Sequence, residues 1–119
     1  MSDTVPVQPR EITDWVYRAA RVAGIDDGDA AILARWATGQ AIIDTAHVDA
    51  ILDEPQTALA HARRAEQRQE LRLTALPGYA EAMHAGIALP VATLERLRAA
   101  ASAFLVAEAT LDEIDQLGT

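Results

Sequence analysis

The 119-residue sequence has no cysteine, no lysine, two serines (Ser2 and Ser102) and five aromatic residues: Trp15, Tyr17, Trp36, Tyr79 and Phe104. Without cysteine, disulfide staples, thiolate metal sites and cysteine nucleophiles are excluded. Neither serine stands near a His–Asp arrangement, and the scattered glycines form no phosphate-cradling loop. No apolar run approaches the roughly 18–20 residues of a membrane span, and no charged-then-apolar secretory signal opens the sequence. A cytoplasmic location with no membrane partner is therefore expected. The net charge of −8 opposes general nucleic-acid binding, which works by neutralising phosphates. All ten basic residues are arginine, a bias of the kind that base composition produces in alanine-rich chains.

Alanine is what the sequence has in abundance, with 26 residues among those counted as hydrophobic. Alanine is the best helix former and allows helix backbones to approach closely, but it fills little volume. The composition thus predicts an all-α fold: a compact bundle of about five to seven helices with a thin core. Its centre is expected at residues 90–108, where Leu94, Leu97, Ala101, Phe104, Leu105 and Glu108 repeat at three-and-four spacing. Pro90 suits the first turn of such a helix, because its missing N–H would be unpaired there in any case.

Residues 1–8 are expected to form a flexible arm, and residues 9–119 a single helical domain. Pro9 to Ala23 reads as a helix with Ile12, Trp15, Val16, Ala19 and Val22 inward, ended by Gly24. Asp26-Asp27-Gly28-Asp29 reads as a helix cap and not a calcium loop, since it lacks the alternating acidic spacing and the distal glutamate that calcium needs. The next helix places Ile32, Leu33, Trp36 and Ala37 inward, with Gly39 as an interruption or a point of close packing. Further helices are predicted at Ile42–Glu54, Pro55–Arg72 and Pro77–Gly86, with an ambiguous stretch at Leu71–Leu76. Thr110-Leu111-Asp112-Glu113 matches a capping box, predicting a separate last helix with Leu111, Ile114 and Leu117 inward and Gly118 as its stop.

Charge is uneven along the chain. Residues 1–54 hold ten acids against four arginines, residues 55–78 two against four, and residues 79–119 six against two. In the basic middle segment Arg63, Arg64, Arg68 and Arg72 recur along one side of the predicted helix. They are the candidate interaction surface, able to grip phosphates or an acidic protein surface; the plainer reading is a solvated face with Glu66 and Glu70 as four-apart partners. Among the histidines, Asp44 and His47 share a helical face and His61 could approach from the next helix. That spacing matches no zinc motif, so no metal and no cofactor are expected. Asp112 and Asp115 read as decoration of a solvated helix.

Two pieces resemble the helical N-terminal region of the malate/L-lactate dehydrogenase family that lacks a Rossmann fold. The first spans Val16 to Ala34, with Ala19-Ala20, Ala23-Gly24-Ile25, Asp29-Ala30-Ala31 and Leu33-Ala34. The second is Leu76-Pro77-Gly78-Tyr79-Ala80-Glu81, followed by Ala85-Gly86 and Pro90. Together they cover about a third of the chain. The family's catalytic histidine lies in an Asp-Ser-His-Gly segment. Here Asp44-Thr45-Ala46-His47 has one residue more and no glycine. The resemblance implies an NAD(P)-dependent enzyme relative whose activity is lost, with His47 as the one position onto which a catalytic role carries. The residues themselves imply a non-catalytic helical protein that works by contact with a protein partner or with further copies of itself.

Overall fold

The computed structural model describes the backbone of residues 3–117 and the side chains of residues 3–104. The described residues form an all-α bundle of six α-helices with one small two-stranded sheet. Strand β1 (Thr4–Val7) precedes helix α1 (Pro9–Val22), and Pro9 occupies the helix's first turn as its fixed φ allows. Gln8 and Glu11 form a capping box that satisfies donors at this end. Ile12, Val16 and Ala20 face the core. Val22, expected inward, is half exposed, because it lies in the last turn where the chain is already leaving the bundle.

Helix α2 (Asp27–Ile43) begins under the Asp26 carboxylate, which accepts the Asp29 N–H at 3.0 Å. It runs through Gly39 and packs chiefly on α1, on which the C-terminal helix also packs. Ala30, Ala34, Ala37 and Ala41 are all buried, so α1 on one side and the following helices on the other can approach its backbone. A Cβ on Gly39 would stand 3.1 Å from Leu76 Cδ1 and 3.3 Å from Leu73 Cδ2. The glycine thus makes room for the 71–76 segment and does not interrupt the helix.

The boundary of the next helix differs from the expected Ile42 start. Ile42 and Ile43 still belong to α2, and helix α3 covers Ala46–Asp53. The cause is Asp44, whose backbone is extended and whose carboxylate accepts the Ala46 N–H at 2.9 Å. Such a side-chain turn competes with the helical ladder and breaks it. Ile43 and Ala46 are exposed, whereas Val48 and Ile51 are buried.

Helix α4 (Pro55–Gln67) stops five residues short of the expected end, and a single 3₁₀ turn at Leu73–Ala75 replaces the ambiguous stretch. Gln69 has a left-handed backbone at φ 59, which ends the helix. Helix α5 (Tyr79–Ala85) leads through Gly86 into strand β2 (Ile87–Pro90) and helix α6 (Val91–Leu117).

The segment expected as a loose arm is instead β1, paired antiparallel with β2 from Thr4↔Pro90 to Val7↔Ile87. Val7 and Leu89 are buried beneath this ribbon. Gly86 makes the junction possible: its φ of 84 and ψ of 171 form a conformation essentially reserved for glycine. A Cβ there would lie 3.2 Å from the Val7 backbone nitrogen.

Helix α6 packs mainly on α1 and also touches α3 and both strands, with Leu94, Leu97 and Ala101 buried. Thr93, buried among them, donates its hydroxyl hydrogen to Asp49 of α3 at 2.7 Å. The break expected at Thr110 is absent, since α6 continues to Leu117. Nothing in the Thr110–Glu113 sequence is a helix breaker, so capping residues alone do not start a new helix. The side chains of Leu105, Glu108, Leu111, Asp112, Ile114, Asp115 and Leu117, and Gly118 as a stop, lie outside the described residues. No helix among the described residues is long and apolar enough to cross a membrane.

Candidate functional site

Three helices bring polar side chains to one groove. Trp36 and Gln40 are one turn apart on α2, His47 and Asp53 come from α3, and Thr57 and His61 are one turn apart on α4. Four-residue spacing puts the α2 pair and the α4 pair each on one helical face, and α3 adds His47 and Asp53, six residues apart, from its two ends. The groove has a volume of about 310 Å³, at the lower end for small ligands. Trp36 and His61 stack with ring centroids 6.0 Å apart and planes inclined by 18°. Trp36 was expected in the core; it packs against the core and also lines the groove.

The tautomer of His47 follows from its surroundings. Its Nδ1 lies 3.0 Å from the Gln40 carbonyl oxygen, which can only accept. Nδ1 therefore carries the proton in the neutral ring, and Nε2 is left as an acceptor. The expected neighbourhood of Asp44, His47 and His61 is formed in part. The two histidines line one groove, but the Asp44 carboxylate is turned to its own Ala46 N–H. Among the described residues no three His, Asp or Glu side chains are grouped to hold a metal ion.

Charge around the groove is arranged from outside. Arg96 of α6 pairs with both Asp49 and Asp53 of α3, and these carboxylates raise its pKa, the hydrogen bond to Asp53 foremost. Asp53 is thus compensated. Glu54, which lines the groove beside it, has no ion pair among the described residues.

The four candidate arginines are not equivalent. Arg63 is bound to Asp29 of α2, with Nε 3.2 Å from Oδ1 and a second contact through its terminal nitrogen. That hydrogen bond, with the attraction of the same carboxylate, raises the Arg63 pKa. Arg64 lies in the last turn of α4, Arg68 caps it, and Arg72 sits beyond the helix before the 3₁₀ turn. All three are exposed and without an ion pair among the described residues. Glu66, expected to pair along its own helix, instead faces Arg35 of α2 at 3.9 Å.

Arg72 and Arg35 line a shallow hollow that adjoins a larger one of about 490 Å³ between α1, α2 and residues 73–83. Tyr17, Leu73, Tyr79 and Met83 line the larger hollow, and Arg10 and Arg35 bear on it. Met83 is half exposed. Sequence spacing could not show this surface, because it joins segments about sixty residues apart through tertiary packing. His84, on α5, is exposed.

Comparison with protein-family models, curated proteins and solved structures finds no match for this chain.

Proposed function

We propose that this chain is a non-catalytic helical protein that acts by binding a protein partner or further copies of itself. The observation that carries the reading is the open apolar hollow lined by Tyr17, Leu73, Tyr79 and Met83, which meets at Arg35 a second hollow bordered by exposed Arg72. Arg64 and Arg68, also exposed, precede Arg72 along the chain, and none of the three has an ion pair among the described residues. Tyrosine, methionine and arginine are the residues enriched at protein interfaces, where they combine contact area with polar ends. An acidic rim on a partner would pair with the arginines while an apolar side chain fills the hollow. Association of this kind would weaken as salt rises.

The test is co-purification from native extract with the wild-type chain and with an R64A/R68A/R72A variant. A discrete partner held by the wild type and lost from the variant supports the reading. Identical capture by both chains, or no stoichiometric partner and no self-association at micromolar concentration, overturns it.

A dehydrogenase-like reading centred on His47 is supported by one feature: a backbone carbonyl fixes the imidazole tautomer, as an orienting group does for a general base. A thermal shift with NADH and NADPH tests it. A ligand specific for the folded chain must raise the melting temperature at high excess, and an unchanged value removes this reading.

A further inference from the structure

We infer that the groove between α2, α3 and α4 is a recognition site for an arginine side chain of a partner protein. The inference stands apart from the arginine-bearing surface, which lies towards the opposite end of α4.

Glu54 supplies an uncompensated carboxylate, and Asp53 a carboxylate already tied to Arg96. His47, with Nδ1 committed to the Gln40 carbonyl, has only the Nε2 acceptor left for a ligand. Trp36 and His61 add a nearly parallel pair of aromatic rings. Among the described residues no arginine lines the groove, and Arg96 engages Asp53 but not Glu54, so the Glu54 carboxylate is open to a ligand. A pocket rich in acceptors and aromatic faces, with one unpaired negative charge, complements a planar cation with several N–H donors. Guanidinium has that form: it stacks on aromatic faces and donates in a fixed fork to a carboxylate. Ammonium, a compact and strongly hydrated charge, cannot stack. The remaining lining from Ala50, Ile51 and Ala58 suits the methylene stem of an arginine.

The probe is the blocked tripeptide Gly-Arg-Gly, with Gly-Lys-Gly and Gly-Glu-Gly alongside it. Each is titrated into the full chain at neutral pH while indole and histidine ring resonances are followed by NMR. One stacked cation and one charge-assisted hydrogen bond correspond to a dissociation constant of about 1–10 mM. The arginine peptide is expected to shift Trp36, His47 and His61 saturably in that range, leaving Trp15 unmoved. The lysine peptide should bind several-fold more weakly and the glutamate peptide not at all. Glu54→Gln, at an exposed position with no structural ion pair, should weaken the arginine peptide by about tenfold while leaving the unfolding midpoint in place. Equal shifts from the arginine and glutamate peptides, lysine binding as tightly as arginine, or undiminished binding by Glu54→Gln would each overturn the assignment. An R64A/R68A/R72A chain should bind the arginine peptide as the wild type does, so failure here and failure of the interface reading are distinguishable.

Discussion

Two glycines with positive φ provide a controlled comparison of backbone strain with and without a steric clash. Gly24 has φ 89 and nothing within 4 Å of an added Cβ, whereas Gly86 has φ 84 and meets the Val7 nitrogen at 3.2 Å and the Val7 oxygen at 3.3 Å. Gly24→Ala should cost about 1 kcal/mol, the price of a left-handed alanine reduced by the lower entropy of the unfolded chain. Gly86→Ala adds a φ/ψ region closed to alanine and a displacement of β1 against β2. Strain of about 1–3 kcal/mol and a similar overpacking term place the total near 3 kcal/mol. In a domain of this size the two variants should melt about 3–6 °C and 10–15 °C below wild type. Circular dichroism during thermal and urea unfolding measures both. Equal midpoints for the two variants would refute the reasoning, because they would mean that Val7 does not pack against Gly86.

Further expectations follow from the same contacts. Deletion of residues 1–7 should lower the unfolding free energy by more than about 2 kcal/mol, since Val7 is 2 % exposed and the β2 edge loses its partner; a midpoint unchanged in urea would return this segment to a loose arm. Leu33→Ala, at a fully buried position of α2, should cost about 2–5 kcal/mol by the same assay, and a loss below 1 kcal/mol would place Leu33 outside the core. Thr93→Val should cost about 1–2 kcal/mol by leaving Asp49 without its buried hydroxyl donor, whereas no loss would show that this contact between α3 and α6 is not formed.

The parts of the fold visible in the sequence were those fixed by neighbours along the chain. Pro9, the Ile12–Val16 spacing and Gly24 delimit α1 by local rules, as Asp26 does for the start of α2. The ribbon was hidden because it pairs four-residue strands about eighty residues apart, too short to establish a period of two. Asp44 did carry a signal: aspartate followed by threonine favours a side-chain turn, but the apolar pattern across Ile42 and Ile43 pointed to a helix start instead. At the C-terminal end the opposite occurred, with a capping sequence at Thr110 absorbed into a longer helix.

For the candidate site, sequence spacing placed Asp44 and His47 on one face and allowed His61 to approach. The structure brings the two histidines to one groove and adds Trp36 and Glu54 to it. Trp36 could not be separated from an ordinary core residue by spacing alone, since a side chain can pack against the core and border a cleft at once. The four arginines look alike in sequence; Asp29, thirty-four residues away from Arg63, is what sets that one apart.

The central claim, that this chain works by holding a protein, is tested most directly by light scattering on the chain isolated from native extract at low and at high salt. The expected result is a particle well above the 12.8 kDa of one chain that dissociates as salt rises and fails to form with R64A/R68A/R72A. A single species of one-chain mass at every salt concentration would contradict it.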